Sequence, residues 1–175
     1  SALNGFLNPF LYYYILFQAY DILLAQEALT LNYLWPIVLV LLSIPLLKQK
    51  IGIISIIAVF ISFTGSYIIA TGGDVLGMKF TNTYGVLLAL ISTIVWAFFW
   101  ILNIKDKREE VTKMFLNFCF GFIYTAIVVF ITGKLIIPDI YGLTGVAYVG
   151  LFEMGITFIF WLKALKFSVT TVKVS

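Results

Sequence analysis

The sequence contains no histidine and a single cysteine, Cys119, among its 175 residues. The absence of histidine removes the commonest metal ligand and the commonest general base of enzymes. One cysteine cannot form a disulfide bond within the chain. Charged residues are also scarce, at 11% of the chain, whereas soluble domains contain about 25%. We therefore expect no metal site, no cofactor and no soluble domain.

Apolar residues make up 62% of the chain, and the mean hydropathy is +1.09. A chain with so few polar residues cannot cover its own surface in water. The expected surroundings are therefore a lipid bilayer, and the net charge of +3 does not indicate nucleic-acid binding. The first residues, Ser1 to Gly5, include no basic stretch before an apolar run, so they do not resemble a signal peptide.

Six apolar runs separated by short polar breaks cover most of the chain. Each is long enough to cross a hydrocarbon core about 30 Å thick as a helix. The runs are continuously apolar, without the alternation of barrel strands, which favours helices. We predict an all-α polytopic transmembrane bundle of about six spans, with a tight hairpin near Tyr20-Asp21. The runs lie at residues 3–20, 22–47, 51–71, 84–104, 113–132 and 143–165.

The basic residues are distributed unevenly between the two sets of alternate loops. One set carries eight of the eleven, the other carries two, and Lys173 is not assigned to either. Loops rich in lysine and arginine stay in the cytoplasm, so we predict that residues 48–50 and 105–113 are cytoplasmic. The eight are Lys48, Lys50, Lys105, Lys107, Arg108, Lys113, Lys163 and Lys166, and the two are Lys79 and Lys134.

Weak internal symmetry relates the first run to the sixth. A shift of 145 residues aligns Gly5-Phe6-Leu7 with Gly150-Leu151-Phe152. The first run points outward and the sixth inward, and repeats of opposite orientation are typical of many secondary transporters. The chain would then hold the end of one repeat and the start of another, with residues 168–175 beginning a further helix.

Two motifs resemble a known family. They are Tyr148-x-Gly150-Leu151-Phe152-x-x-Gly155 followed by Trp161-x-x-Ala164-Leu165, and Glu27-x-x-x-x-Asn32-Tyr33-Leu34-Trp35-Pro36. The first resembles the eighth helix of the EamA-type exporters of the drug/metabolite transporter superfamily. The second resembles the fourth helix of their aromatic-amino-acid exporter branch. Gly65 and Trp96-Ala97 are similar to positions in the fifth and sixth helices.

This resemblance implies a ten-helix fold of two inverted five-helix repeats, of which this chain is a fragment covering helices three to eight. Residues 1–79 would be the last three helices of the first repeat. Residues 80–175 would be the first three helices of the second repeat and the start of another. The implied protein is not an enzyme. It is a secondary transporter of a bacterial or archaeal cell membrane that exports amino acids, or related small metabolites, by alternating access.

Two acidic residues within the spans are candidates for the substrate pathway. An ionised carboxylate at mid-membrane costs about 2.5–3.5 kcal/mol on insertion scales, and Glu153 lies near the middle of the sixth run. It is either a proton or substrate-amine site, or a neutral acid hydrogen-bonded to a neighbouring helix. Family members usually have a small or apolar residue there. Glu27 lies near the outer end of the second run, where it either attracts a substrate amine or extends to the interface.

Pro36 is predicted to kink the second span, since it lacks an amide hydrogen and clashes with the Asn32 carbonyl. Asn32, Tyr33 and Trp35 flank this kink and would suit an amino acid with an apolar or aromatic side chain. The alternative is helix packing with an interhelical asparagine bond.

Trp96 and Trp100 lie four residues apart and so share one face of a helix. Trp96 either lines the cavity or packs within the bundle. Trp100 is predicted to lie in an interfacial aromatic belt. Two other classes of protein remain open at this point: an intramembrane enzyme acting on lipid-linked substrates, and a scaffold or channel subunit that transports nothing.

Overall fold

The computed structural model describes residues 1–73, 80–168 and 170–174, and within these residues the secondary structure is helical without strands. The predicted all-α fold is therefore confirmed. The helices are α1 (Ala2–Gly5), α2 (Tyr12–Ile22), α3 (Ala25–Asn32), α4 (Trp35–Leu47), α5 (Ile53–Ala70), α6 (Thr83–Lys105), α7 (Glu110–Thr132), α8 (Ile140–Tyr148) and α9 (Phe158–Phe167). Two π-helical turns (Phe6–Leu11 and Val149–Thr157) and a 3-10 turn (Thr171–Lys173) complete the described structure.

Four stretches of the described residues are long and apolar enough to cross a membrane: Ala25–Leu47, Thr83–Lys105, Glu110–Thr132 and Ile140–Phe167. The other two predicted runs are also helical. The apolar part of α5 is shorter, and the first run is divided between α1 and α2. The protein is an integral, multi-pass membrane protein.

The hairpin between the first two spans lies at Leu23 and Leu24, which both have extended backbones. The predicted position, Tyr20-Asp21, is instead the last part of α2. The hairpin packs closely on α6, because a Cβ on Gly85 would lie 2.7 Å from the Leu23 Cγ. This contact between distant parts of the chain accounts for the observed position of the hairpin. The hairpin thus packs directly on the start of α6, at a glycine that leaves room for it.

The predicted interruption of the second span at Pro36 is confirmed, and it takes the form of a break just before the proline. α3 ends at Asn32, and a short break at Tyr33 and Leu34 precedes α4. Pro36 lies in the first turn of α4, where a missing amide hydrogen costs nothing because the amides of that turn have no helical partner. The span Ala25–Leu47 is therefore interrupted between Asn32 and Pro36.

α6 is the centre of the bundle and packs against α2, α3, α4 and α9. Its buried residues lie on several sides of the helix, from Gly85 to Asn103. In contrast, α8 has no buried residue, and its large apolar side chains are exposed. Such faces suit contact with hydrocarbon, since lipid tails are as apolar as the side chains themselves.

The polar loops predicted to be cytoplasmic meet at one end of the bundle. Gln49, Asp106 and Lys166 line one cleft there. The Lys166 ammonium lies 2.7 Å from the Glu110 carboxylate, and the Thr171 hydroxyl lies 3.0 Å from the Gln49 side-chain oxygen. In the segment after residue 168, where a further helix was predicted to begin, the structure has the 3-10 turn Thr171–Lys173. Lys79, one of the two basic residues predicted on the other side, lies outside the described residues.

Candidate aromatic binding site

All four tryptophans of the chain belong to one aromatic cluster, which is centred on Trp96 of α6. The Trp96 ring centroid lies 4.2 Å from that of Tyr12 in α2, 5.4 Å from Phe158 in α9 and 6.0 Å from Trp35 in α4. Trp35 also lies 5.4 Å from Trp161 of α9. Several of these pairs are edge-to-face or tilted, as ring quadrupoles favour. Four helices therefore contribute to a single aromatic surface.

Polar groups join this surface through Asn32, the last residue of α3. Its Nδ2 donates to the Tyr12 hydroxyl at 3.0 Å and to the Ser92 hydroxyl at 3.5 Å. The Tyr12 hydroxyl lies 3.3 Å from Asn32 Oδ1, and Ser92 donates to the Ala89 carbonyl at 2.7 Å. Tyr12, Asn32 and Ser92 are all buried. An amide, a phenol and a hydroxyl thus lie beside the indoles.

Three indole N–H groups of the cluster have no hydrogen-bond partner, although their nitrogens are buried. They belong to Trp96, Trp100 and Trp161. A buried donor without a partner costs about 1–3 kcal/mol, so such groups call for an explanation. Indole nitrogens only donate, so a partner for any of the three has to be an acceptor atom.

The cluster gathers some of the predicted site residues and leaves others apart. Asn32, Trp35 and Trp96 lie together in it. Pro36 faces a groove between α4 and α5, and Tyr33 is 65% exposed. Trp100 is 1% exposed and contacts Trp96 and Phe158. A residue of an interfacial belt has one side in contact with water, so the predicted interfacial position of Trp100 was wrong.

Glu27 lies on the same helix as Asn32 but about one and a half turns away, in the first turn of α3. Its side chain is 6% exposed, and one carboxylate oxygen accepts from the Thr81 amide at 3.2 Å. The other oxygen is buried without a partner. Glu27 therefore holds the chain just before α6 against α3, and it does not extend to an interface.

Glu153 lies in the middle of the π-helical turn Val149–Thr157. Its side chain is exposed, and within the described residues its carboxylate accepts no hydrogen bond. The turn itself packs on α8 and α9.

Tyr12, Ser92 and Phe158 belong to the cluster but were missed as site residues in the sequence. Tyr12 did offer an indication, because Tyr12-Tyr13-Tyr14 lies inside an apolar run and not at its ends, where interfacial tyrosines are expected. Ser92 and Phe158 gave no comparable pattern. Their roles depend on how the helices are rotated against one another.

The two π-helical turns occupy related positions in the first and sixth runs. In the first, Asn8 has a non-helical backbone with φ −148° and ψ 127°. The 145-residue shift places Phe6–Leu11 opposite residues 151–156, which lie within Val149–Thr157. Discontinuities at corresponding positions of two repeats are the usual location of transporter binding sites.

Outside the spans, the loop after α6 is held by local charge pairs. Arg108 donates to Asp106, with a shortest distance of 2.6 Å, and this bond lowers the pKa of Asp106 to about 2. Glu109 accepts from the amides of Val111 and Thr112, which lowers its pKa and caps α7. Within residues 1–73, 80–168 and 170–174, no group of three or more Cys, Asp and Glu side chains could hold a metal.

Comparison with known proteins places the chain in a family. Two stretches, residues 1–71 and 83–174, match the EamA-like transporter family. Searches of curated proteins and of solved structures return no match. Because the two stretches cover nearly the whole chain, this protein belongs to the EamA-like transporter family of the drug/metabolite transporter superfamily and is a membrane transporter of small substrates.

Proposed function

We propose that this protein is a secondary carrier that exports amino acids, aromatic ones in particular, or related small metabolites, by alternating access. The observation that carries the proposal is the Trp96 cluster, with its three unpartnered indole donors and the buried Tyr12–Asn32–Ser92 bonds. Each part of this surface matches a part of such a substrate.

The aromatic rings suit the side chain of the substrate. Ring pairs contribute about 0.5–1.5 kcal/mol beyond the area that they bury, and Trp35 and Trp161 are only partly buried. An apolar or aromatic side chain that packs on their open sides would gain this energy without losing hydrogen bonds to water. A sugar placed there would lose several hydrogen bonds to water.

The donors suit the carboxylate, and Glu153 suits the ammonium group. A hydrogen bond to a charged group contributes about 1.5–3 kcal/mol, and the three indole donors are neutral. Neutral donors permit release, which a carrier requires. Glu153, which lies in the π-helical turn before α9, would neutralise the substrate amine.

The paired discontinuities support a two-repeat carrier. We propose that residues 1–79 and 80–175 belong to two inverted repeats of a ten-helix protein, as helices three to eight. The π-helical turns at Phe6–Leu11 and Val149–Thr157 would then face each other across the substrate pathway. In transporters of this kind, one repeat rocks against the other around a fixed midplane site.

The orientation follows from the basic loops. We propose a bacterial or archaeal cell membrane with residues 48–50 and 105–113 in the cytoplasm, because eight basic residues fall on that side and two on the other. The cleft that Gln49, Asp106 and Lys166 line would be the cytoplasmic end. Glu27 and Thr81 would then lie at the outer end.

Counterflow in proteoliposomes tests the proposal. Vesicles that contain the purified full-length protein and unlabelled phenylalanine should accumulate labelled phenylalanine transiently, whereas vesicles loaded with glucose should not. The Trp35→Ala variant should weaken the apparent affinity about 2- to 12-fold, given the ring-pair energy of about 0.5–1.5 kcal/mol. A carrier that moves only other solutes, or vesicles that show turnover of lipid-linked substrates in place of counterflow, would overturn it.

A further inference from the structure

Glu27 is a buried carboxylate with an unused oxygen, and it lies at the end of the span Ala25–Leu47 that is remote from the Gln49 cleft. Its side chain is 6% exposed. Oε1 accepts from the Thr81 amide at 3.2 Å, and Oε2 is buried without a hydrogen-bond partner. Buried charges in proteins are paired or bound to a metal ion. A single hydrogen bond from a neutral amide does not meet this condition.

A cavity lies beside this carboxylate. Its volume is about 240 Å³, and Glu27, Thr71, Gly72 and Thr81 are among the residues that line it. Gln26 of α3 donates to the main-chain carbonyl of Ile69 in α5 at 3.4 Å, and this bond joins two walls of the cavity. The carboxylate is therefore part of a cavity between α3, the end of α5 and the segment before α6.

The electrostatic surroundings of the cavity favour a cation. The cavity lies at the C-terminal end of α5, where the last carbonyls of a helix give a partial negative charge. The Thr71 hydroxyl donates to the Tyr67 carbonyl at 3.0 Å, so its oxygen can still accept or bind a cation. In the described part of the chain, no lysine or arginine is paired with Glu27. A carboxylate and a helix C-terminus thus add their negative potentials here.

The charge of the cavity and the enclosure of Oε2 favour a small monovalent ion. One carboxylate balances one positive charge, and within residues 1–73, 80–168 and 170–174 no group of three or more Cys, Asp and Glu side chains could hold a metal. Because Oε2 is enclosed, an ammonium group that carries carbon substituents cannot approach it as closely as a bare ion can. Sodium binds carboxylate, hydroxyl and carbonyl oxygens, and the C-terminal ends of helix segments coordinate it in secondary transporters.

We propose that the cavity at Glu27 binds a monovalent metal cation, sodium in particular, through Glu27 Oε2, the Thr71 hydroxyl and main-chain oxygens at the end of α5. The expectation of no metal site came from the absence of histidine, which an ion that binds oxygen does not require. The site is separate from the aromatic cluster, so its binding can be measured without a transport substrate. In the carrier proposed above, it would be the site of the coupling ion; that role, unlike the binding itself, rests on the proposed function.

Thermal unfolding of the purified full-length protein in sodium chloride or choline chloride of equal ionic strength tests the site. At about ten times the half-saturating sodium concentration, the melting temperature should be about 3–6 °C higher than in choline. Glu27→Gln should lose this rise. In choline it should melt no lower than wild type, because glutamine still accepts from the Thr81 amide and removes an unpaired buried charge.

Asp21→Asn is the matched control, because it removes an exposed carboxylate from the last turn of α2, at the same end of the bundle. It should keep the full rise in sodium. Radioactive sodium gives a second readout, with saturable binding to wild type and Asp21→Asn but not to Glu27→Gln. Glu27→Asp keeps the charge but withdraws the oxygens from the cavity, so it should bind sodium more weakly. If Glu27→Gln does not fold, an unchanged half-saturation in Glu27→Asp overturns the proposal.

The remaining outcomes are equally decisive. Equal melting temperatures of wild type in sodium and choline, or a rise that Glu27→Gln retains, overturn the site. Stabilisation by methylammonium chloride without stabilisation by sodium does so too, since the cavity then takes an ammonium group. A sodium effect that appears only in Lys79→Gln identifies that lysine as the partner of Glu27 and also overturns the site. A wild-type protein that transports no amino acid contradicts the proposed function and leaves the sodium measurements unaffected.

Discussion

Alanine at Gly5 is expected to destabilise the protein strongly, whereas alanine at Gly65 should be neutral or stabilising. A Cβ on Gly5 would lie 2.7 Å from the Phe120 Cβ and 2.9 Å from the Gly121 nitrogen, and it would also meet the Asn117 carbonyl. None of these atoms can rotate away, so α1 and α7 would have to separate. Overpacking costs about 1–3 kcal/mol, and the backbone contacts place Gly5→Ala at about 3 kcal/mol.

Gly65 is the matched control, because it is also a glycine within a span but lies in the interior of α5. A Cβ there would meet nothing within 4 Å. Alanine is favoured over glycine in a helix interior by about 0.5–1 kcal/mol. Gly65→Ala should therefore stabilise the protein by that amount or leave it unchanged.

Thermal unfolding of the purified protein in detergent measures both effects. For chains of about this length, 1 kcal/mol corresponds to about 2–4 °C in the melting temperature. Gly5→Ala should lower the melting temperature by about 6–12 °C, and Gly65→Ala should raise it by no more than about 4 °C. Equal shifts in the two variants, or an unchanged Gly5→Ala, would refute the close packing of α1 on α7.

Two further predictions concern polar contacts. Asn32→Leu should destabilise the protein by about 1 kcal/mol in the same assay, since it removes the interhelical bonds to Tyr12 and Ser92. In a Tyr12→Phe background the same change should cost less. Equal costs in the two backgrounds would refute the hydrogen bond between Asn32 and Tyr12. The pKa of Asp106 is lowered from 3.8 to about 2 by Arg108, so this pair stabilises the folded state fully above about pH 4 and loses its effect as the pH falls towards about 2. The melting temperature of wild type should therefore fall more than that of Asp106→Asn between pH 5 and pH 2, and parallel curves would contradict the pairing.

The limits of the fourth and fifth runs could be predicted from the sequence because the bilayer sets the length of an apolar helix. The fourth run was predicted at residues 84–104, and α6 occupies Thr83–Lys105. The fifth was predicted at 113–132, and α7 occupies Glu110–Thr132. Composition and run length contain this information without any knowledge of the neighbouring helices.

The convergence of the aromatic side chains could not be predicted in the same way. α4 and α6 are apolar on all sides, so their sequences do not indicate which face points into the bundle. Trp100 was for this reason assigned to an interface, although it is buried beside Phe158.

The most direct test of the aromatic binding site uses its own tryptophans. Because all four belong to the one cluster, a substrate that binds there must alter most of the tryptophan fluorescence of the protein. Titration with phenylalanine, which is almost non-emitting under tryptophan excitation, should give a saturable change in emission with the same half-saturation as binding measured by counterflow. Emission that stays unchanged over the concentrations that saturate counterflow would show that the substrate binds elsewhere.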